Sequence, residues 1–231
     1  MVLWKSSAFS MGDEKMVRTF LCYVGQTGED MVEQGLFLLP EIEQKKIMCI
    51  KNEKQKKLSL ASKLLLQKIL KEQGYTLLDC ISQKNGKPEI LQAENFHFNI
   101  SHSGEYVLLA VSSAPVGADI EWIREGMPKS LRGILSEEER EMLECAEEQK
   151  KTSLFFQLWT QKESYVKCLG GRIFAKPFLL SMVEKGRISN QYEDCFFHTY
   201  LLEGYAISVC SFQQDFAPSM EQVDFASLFL S

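Results

Sequence analysis

The sequence predicts an α+β protein of two similar lobes, each built as a strand, then helix, then a β-hairpin. Segments 96–111 and 196–212 carry β-branched and aromatic runs separated by short turns, which is typical of hairpins. Apolar residues at helical spacing mark two long helices, at 51–73 and from about 153 to 171. Ala114-Pro115 lies between the halves and predicts lobes at 16–113 and 114–231. Because the halves share no obvious residue identity, the duplication is one of element order.

The composition is that of a soluble globular protein and excludes several function classes. The 231 residues carry a net charge of −5, which argues against general nucleic-acid binding. No run of about 18 apolar residues predicts a membrane span, and residues 1–15 read as a loosely ordered lead-in without a secretory signal. The seven cysteines form no C-x-x-C pair, and none of the three histidines has ligand spacing with a cysteine. Reduced, mostly buried thiols in a cytosolic protein are therefore expected, and a zinc site is not.

The first lobe begins with a predicted strand at 16–24, MVRTFLCYV, followed by helices at 29–39, 41–50 and 51–73. The stretch 45–57 is rich in lysine and predicts either a solvated face or a surface for an acidic or phosphate-bearing partner. A turn at Asn85-Gly86-Lys87-Pro88 precedes the hairpin of 96–102 and 106–111. In the first of these strands, His97, Asn99 and Ser101 alternate with apolar residues, so they share one face.

The second lobe opens with a predicted strand at 116–122, VGADIEW. Asp119 and Glu121 are two residues apart, so both carboxylates point to the same face of this strand, where they repel each other. Such a pair indicates either a bound cation or a surface position. Ser136 begins a helix that reaches residue 146, with Glu139 at the capping-box position. A strand at 178–183 and a hairpin of 196–202 and 205–212 complete the lobe.

The long helix of the second lobe, LFFQLWTQKESYVKCLGG at 154–171, places charged residues in an aromatic-rich segment. Glu163 and Lys167 are four residues apart and therefore lie on one face of the helix. Taken alone, they are explained as a surface ion pair that contributes about 0.2–0.5 kcal/mol. Gly170-Gly171 ends the helix.

Three fragments in this order, NISHSGEYVLLAVS, VGADIE and FFQLWTQKESYVKCLGG, resemble the Sfp-type 4′-phosphopantetheinyl transferases, and the resemblance covers roughly residues 51–182. It implies a pseudo-symmetric α+β monomer that binds coenzyme A in the cleft between its lobes. The implied enzyme is cytoplasmic, of the holo-[acyl-carrier-protein] synthase type. It moves the 4′-phosphopantetheine arm onto a serine of an apo acyl, peptidyl or aryl carrier protein and releases 3′,5′-ADP.

The resemblance also implies a set of metal and catalytic residues. Asp119, Glu121 and Glu163 match the carboxylates that bind Mg²⁺, an ion that prefers hard oxygen ligands. Lys167 is placed to stabilise or protonate the leaving 3′,5′-ADP. Glu139 matches a glutamate proposed as the base that takes the serine proton, although its capping-box position explains this residue almost as well.

Further residues match positions that contact the phosphates of coenzyme A. Lys162 matches a lysine that contacts phosphate, and Lys167 is placed to meet the diphosphate. Lys87 matches a lysine facing the nucleotide phosphate. Ser101 and His102 match positions near the 3′-phosphate, to which a hydroxyl or an imidazole can donate. In isolation, His102 is equally well explained as a hydrogen-bonded residue at a hairpin end.

Other function classes use some of the same residues. A Mg²⁺-dependent diphosphate hydrolase would need the carboxylates but no carrier protein. A non-catalytic module that binds coenzyme A or a carrier protein would not need Asp119, Glu121, Glu163 and Lys167 together. A purely structural protein would leave these charged residues without a reason.

Overall fold

The computed structural model describes residues 16–26, 28–82, 87–90, 93, 95–126, 133–171 and 180–229. Within this part of the chain the protein is α+β, with two four-stranded sheets, each covered by a long helix. No helix among these residues is both long and apolar enough to cross a membrane. The predicted lead-in at 1–15 and the first half of the turn at 85–88 lie outside the described residues.

The first lobe is a sheet in the order β12-β1-β5-β4, in which β12 comes from the end of the chain. Its elements up to residue 112 are β1 (Arg18–Tyr23), α1 (Glu29–Leu36), α2 (Glu41–Met48), α3 (Glu53–Glu72), β2 (Cys80–Ser82), β3 (Pro88–Ile90), β4 (His97–Ser103) and β5 (Tyr106–Ser112). Asn52 caps α3 by accepting a hydrogen bond from the Gln55 amide at 3.0 Å. The apolar stripe of α3, which includes Leu64 and Leu65, packs on β5. The predicted strand, helices and hairpin are all present.

The second lobe has a sheet in the order β6-β11-β10-β9, in which β6, β11 and β10 correspond to β1, β5 and β4. Its elements are β6 (Val116–Trp122), α4 (Glu137–Cys145), α5 (Glu148–Cys168), β7 (Val183–Glu184), β8 (Arg187–Ile188), β9 (Gln191–Tyr192), β10 (Cys195–Leu202) and β11 (Tyr205–Ser211), followed by β12 (Glu221–Asp224). In both lobes the first strand pairs antiparallel with the second strand of the hairpin: β1 with β5, and β6 with β11. This shared topology confirms the two-lobe fold.

Each lobe has its own apolar core beneath its long helix. The two sheets pack face to face over a third core, which both lobes share. Leu21 and Leu108 of the first sheet meet Ala118, Ile207 and Val209 of the second. Because neighbouring residues of a strand point to opposite faces, β1 sends Phe20 and Cys22 to the α3 side and Leu21 to this shared core. The lobes are therefore held by buried apolar surface, which fixes their relative position.

Two predicted elements differ from the observed ones. Helix α5 begins at Glu148, about five residues before the predicted start, because residues 148–153 are polar and carry no apolar signal. Of the strand predicted at 178–183, only the residues from 180 are described, and the strand there starts at Val183. The tail after Pro218, whose sequence predicts no element, forms β12, parallel to β1, and a 3₁₀ turn whose Phe225 enters the first lobe's core. The lobe division at residue 114 stays a prediction, and the tail crosses it.

Candidate active site

The acidic strand β6 and the helix α5 approach each other unusually closely at Gly117. A β-carbon at this position would lie 2.0 Å from the carbonyl oxygen of Ser164 and 2.3 Å from the amide nitrogen of Cys168. Both are backbone atoms that cannot rotate away, so a side chain here would push the helix off the strand. The glycine therefore sets the spacing at which residues of α5 reach the carboxylates of β6.

Asp119 and Lys167 form the centre of the site. The Lys167 ammonium donates to Asp119 Oδ1 at 2.6 Å, to Ser101 Oγ at 3.3 Å and to the Ala118 carbonyl at 3.3 Å. Burial lowers the pKa of Lys167, but the charges of Asp119, Glu163 and Glu121 outweigh it and raise the pKa above its ordinary value. Lys167 is therefore a fixed cation beside three carboxylates.

One oxygen of Asp119 points into the protein without a partner. The side chain is buried, and its Oδ1 accepts from Ser101 Oγ at 2.9 Å as well as from Lys167. The Oδ2 atom has no hydrogen-bond partner among the described residues. A buried carboxylate oxygen left unsatisfied is costly, and such atoms commonly mark the place of a ligand or an ion.

Glu121 is held by two donors from different elements. Ser103 of β4 donates to its Oε2 at 3.1 Å, and the indole N–H of Trp159 on α5 donates to its Oε1 at 3.3 Å. Burial and the charge of Asp119 raise the pKa of Glu121, and these two hydrogen bonds partly oppose them. The carboxylate is thus oriented from both sides.

Glu163 has a carboxylate whose pKa is strongly raised. It is half-buried on the face of α5 that it shares with Lys167. Burial, followed by the charge of Asp119, raises its pKa to about 7; Glu121 adds to this effect and Lys167 opposes it. The three acids therefore repel one another electrostatically, and a cation between them would relieve that repulsion.

The donor set fits a hard divalent cation. Carboxylate oxygens are the ligands that Mg²⁺ prefers, with water and substrate phosphate filling the other positions. The unsatisfied Asp119 Oδ2 and the raised pKa of Glu163 both indicate where positive charge is missing. The oxygens of Asp119, Glu121 and Glu163 are not all within 4.8 Å of one another, and Lys167 lies against Asp119. A bound ion would draw the three acids together.

The first lobe contributes side chains across the seam between β4 and β6. These strands belong to different sheets, and side chains of β4 join them: Asn99 Oδ1 accepts from the Ala118 amide at 2.9 Å, and Ser103 Oγ accepts from the Trp122 amide at 3.0 Å. Ser101 lies between them on the same face of β4 and reaches Asp119. The predicted residue Ser101 is therefore at the site, bound to a carboxylate and to Lys167.

His102 and Lys87 lie beside this cluster. Partial desolvation, with the nearby charge of Lys167, lowers the pKa of the exposed His102. Lys87 Nζ donates to the carbonyls of Val116 at 3.0 Å and Lys167 at 2.7 Å, so it caps the last turn of α5 from the other lobe. Burial lowers the pKa of Lys87. A cavity of about 210 Å³ adjoins it and is lined by residues of both lobes.

Glu139 and Lys162 do not join the cluster. Both side chains are fully buried, and Lys162 Nζ lies 2.6 Å from Glu139 Oε2 and donates to the carbonyls of Ile134 and Leu180, each at 2.7 Å. Glu139 also accepts from two backbone amides, those of Ser136 and Met182, each at 2.8 Å. The atoms needed to bind a phosphate and to act as a base are thus bonded inside the protein in this structure, and the assignments of Lys162 to a phosphate and of Glu139 to a catalytic base stay predictions.

The lysine-rich stretch 45–57 is partly neutralised by its own helices. Lys45 pairs with Glu41 at 2.7 Å, Lys46 with Glu43 at 2.6 Å, and Lys56 with Glu53 at 2.7 Å. These pairs are three or four residues apart, which is the usual spacing on a helix surface. The local positive charge is therefore weaker than the lysine count suggests, and the solvated-face interpretation gains support.

Three residues at the site were not predicted from the sequence. Gly117 stands in the same motif as Asp119, but only the packing of α5 shows why a glycine is required. Trp159 looked like an ordinary core aromatic. Ser103 has a usable signal, because it follows Ser101 at strand spacing and therefore shares its face.

Comparison with known proteins covers both lobes. A family model described as the 4'-phosphopantetheinyl transferase superfamily matches residues 115–210, and one described as 4'-phosphopantetheinyl transferase, N-terminal, matches residues 27–114. The chain is 33% identical to a 4'-phosphopantetheinyl transferase of Bacillus subtilis over 154 residues, which is 63% of the chain and 68% of that relative. It is 32% identical to the 4'-phosphopantetheinyl transferase Sfp of Bacillus subtilis (strain 168) over 155 residues, covering 64% and 69%. It is 34% identical to the 4'-phosphopantetheinyl transferase gsp of Aneurinibacillus migulanus over 163 residues, covering 66% and 68%.

Proposed function

The chain belongs to the Sfp-type 4′-phosphopantetheinyl transferase superfamily, and from this premise we propose that it transfers the 4′-phosphopantetheine arm of coenzyme A to a serine of an apo carrier protein. The proposed reaction depends on Mg²⁺ and releases 3′,5′-ADP. The acceptor is an acyl, peptidyl or aryl carrier protein, and the enzyme acts in the cytoplasm as a monomer. The observation that carries the proposal is the cluster of Asp119, Glu121 and Glu163 around Lys167 at the seam between the lobes.

The carboxylates of this cluster are assigned to the metal. Asp119 and Glu121 from β6 and Glu163 from α5 would hold Mg²⁺, with substrate and water supplying the remaining ligands. When bound, the ion neutralises charge on the diphosphate of coenzyme A and polarises the phosphoryl group that is attacked. The unsatisfied Asp119 Oδ2 supports this assignment.

Lys167 is assigned to the leaving group. In the proposed step, the serine hydroxyl oxygen forms a bond to the phosphorus that carries the pantetheine arm, and the bond from that phosphorus to 3′,5′-ADP breaks. The raised pKa of Lys167 keeps it an ammonium, so it can stabilise the negative charge that develops on 3′,5′-ADP. The hydrogen bonds from Lys167 to Ser101 and Asp119 hold it in place for this role.

The serine proton needs an acceptor, and the resemblance assigns this role to Glu139, directly or through a water molecule. Glu139 is fully buried and bonded to Lys162 and to two backbone amides, so the proton would reach it only after these contacts open. Glu163 is assigned to the metal, and a bound cation would favour its ionised form.

Three residues of the first lobe are assigned to the phosphates of coenzyme A. Ser101 and His102 stand beside Lys167 at the end of β4, and a hydroxyl and an imidazole can both donate to a phosphate oxygen. Lys87 lies against the last turn of α5 and lines the adjoining cavity. Ser101 and Lys87 contact residues of the second lobe, which supports binding between the lobes.

The test is the intact mass of apo carrier proteins after incubation with this protein, coenzyme A and Mg²⁺. We expect a gain of one phosphopantetheine, equimolar release of 3′,5′-ADP, and loss of both when a chelator is added. Asp119→Asn, Glu163→Gln and Lys167→Ala should each remove the gain. Glu148→Gln changes an exposed glutamate on the same helix and should leave the gain unchanged.

Other outcomes would select the alternative functions. Cleavage of coenzyme A without any gain of carrier mass would identify a Mg²⁺-dependent diphosphate hydrolase. Binding of coenzyme A without cleavage, on every class of carrier, would identify a non-catalytic binding module. Normal transfer by Asp119→Asn or Glu163→Gln would contradict the metal assignment.

A further inference from the structure

Three cysteines that are far apart in the sequence meet in the core of the second lobe. Cys168 is the last residue of α5, Cys195 is the first of β10, and Cys210 lies in β11. All three are buried, with exposures of 3%, 2% and 0%. Their sulfur atoms all lie within 4.8 Å of one another, and no other group of three potential metal ligands meets this distance among the described residues. No spacing along the chain predicts this cluster, since the three residues belong to different elements.

The sulfur positions suit a metal ion better than a disulfide. A thiolate binds zinc at about 2.3 Å, so three thiolates around one ion lie about 4 Å apart. Starting from separations of at most 4.8 Å, small side-chain shifts would reach that arrangement. A disulfide requires a sulfur–sulfur distance of about 2.05 Å, which would need a much larger approach of the buried elements.

The surroundings compensate the charge of such a site. Three thiolates and one divalent cation carry a net charge of −1, which is unfavourable in a buried position unless a positive group is near. The ammonium of Lys87 interacts electrostatically with both Cys168 and Cys210. Hydrogen bonds link Cys195 to the thiols of Cys168 and Cys210, so the three sulfurs already face one another.

One member of the cluster borders a cavity. Cys168 lines the cavity of about 210 Å³ between the lobes, together with Lys87, Pro115 and Gly170. This volume exceeds what one water molecule needs, so an ion held by the cluster can take a water as its fourth ligand on the Cys168 side.

We propose that Cys168, Cys195 and Cys210 form a binding site for a thiophilic divalent cation, Zn²⁺ being the physiological candidate. Binding forms three metal–sulfur bonds and retains one water, and the three thiol protons are released to solvent without any electron transfer. The ion would join the last turn of α5 to β10 and β11, directly after Lys167. This site is separate from the carboxylate cluster, which offers only hard oxygen ligands.

The test uses reduced, metal-stripped protein titrated with Co²⁺, whose thiolate charge-transfer absorption reports sulfur coordination, followed by displacement with Zn²⁺. We expect one equivalent of Co²⁺ with this absorption in the unaltered protein. Cys168→Ala, Cys195→Ala and Cys210→Ala should each weaken binding by more than the roughly 10–100-fold that loss of a ligand's hydrogen-bonding partner costs. Cys22→Ala removes a fully buried thiol of the other lobe and should leave binding unchanged.

X-ray absorption of the zinc-loaded unaltered protein keeps the proposal testable if a variant fails to fold. Three sulfurs at about 2.3 Å are expected. Zinc bound through oxygen or nitrogen alone, no cobalt charge-transfer band, or unchanged binding in Cys195→Ala would overturn the proposal. Glu163→Gln, which alters the carboxylate cluster, should retain the cobalt signal, so failure of the proposed transferase function would not affect this result.

Discussion

The site brings three carboxylates close enough to repel one another, and Glu163 shows the effect on one side chain. Its own burial disfavours the ionised form, and Asp119 and Glu121 add two negative charges nearby. Lys167 compensates only in part, because its shortest contact is with Asp119. A protein that places three acids this way without a metal role would lose stability for no gain, which is why we interpret the shifted pKa functionally.

The shift of Glu163 predicts how stability depends on pH when the metal is removed. Its pKa rises from an ordinary value of 4.5 to about 7 in the folded protein, so the native state holds the extra proton between these values. The free energy of unfolding should therefore fall as pH rises from about 4.5 to about 7 and then level off. Urea denaturation in the presence of a chelator measures this dependence.

Glu163→Gln should flatten this part of the pH profile, because an amide does not titrate. Glu148→Gln, on the exposed part of the same helix, should leave the profile unchanged. Adding Mg²⁺ at pH 8 should restore stability to the unaltered protein by binding the ionised acids. An identical slope in the Glu163→Gln variant would contradict the assignment.

The helix α5 performs two tasks with two of its faces. One face presents Glu163 and Lys167 to the carboxylates of β6, while Lys162 turns inward to Glu139 and anchors α4. The charges that act on Glu163 are those of Asp119, Lys167 and Glu121, whereas Glu139, Arg140 and Glu138 act on Lys162. Adjacent residues of one helix thus belong to separate electrostatic groups.

The buried pair predicts a large loss of stability when one partner is removed. Lys162→Met leaves the Glu139 carboxylate buried with its charge uncompensated, so we expect a loss of about 3–5 kcal/mol in the free energy of unfolding. Lys150→Met breaks an exposed pair on the same helix and should cost no more than about 1 kcal/mol. Chemical denaturation compares them. A small effect for Lys162→Met would favour its assignment to a phosphate.

The close contact of β6 with α5 at Gly117 predicts that adding one methyl group there lowers activity. Gly117→Ala should cost about 1–3 kcal/mol of stability by overpacking. It should also lower kcat about 100-fold, because moving Lys167 by about 1 Å misplaces it relative to the reacting phosphate. Steady-state kinetics with coenzyme A and a carrier protein measure kcat and KM.

Gly133→Ala provides the control for this variant. A β-carbon at that position meets no atom of the described residues within 4 Å, so both stability and kcat should stay unchanged. If Gly117→Ala raised KM alone and left kcat intact, the glycine would serve coenzyme A binding and not the position of Lys167.

The whole molecule holds its site where two lobes meet. A shared apolar core lies between the two sheets, and the β4–β6 seam brings Ser101 and Ser103 of one lobe to Asp119 and Glu121 of the other. The tail strengthens this arrangement, because β12 pairs with β1, and Arg18 binds Glu221 through two hydrogen bonds of 2.8 and 3.0 Å. Neither lobe alone completes the site.

The tail therefore contributes to the stability of the first lobe. Phe225 is 3% exposed in that lobe's core, so Phe225→Ala should lower the free energy of unfolding by about 3–5 kcal/mol. Leu201→Ala changes a side chain that is 98% exposed and should have an effect within about 0.5 kcal/mol. Thermal or urea denaturation of both variants tests the role of the tail. Equal stabilities would contradict it.

Local patterns in the sequence determined most of the elements, and the resemblance carried by three fragments supplied the expected site residues. Alternation of polar and apolar residues predicted β4 and β6 closely, because the two faces of a strand meet different surroundings, and the turn at 103–105 predicted β5 as the returning strand. The capping box at Ser136 was also predicted and is present. The polar start of α5 and the short tail strand lacked such a pattern, so their positions could not be predicted from it.

Only the tertiary structure decided which of these residues meet. The sequence motif places Lys162 and Lys167 on one helix. In the folded protein Lys162 is buried against Glu139, whereas Lys167 contacts Asp119. Likewise, no sequence spacing brings Cys168, Cys195 and Cys210 together, since they come from three elements. The physical reason is that burial, charge pairing and close backbone approach depend on contacts between residues far apart in the sequence. The spacing of residue types within one segment carries no information about those contacts.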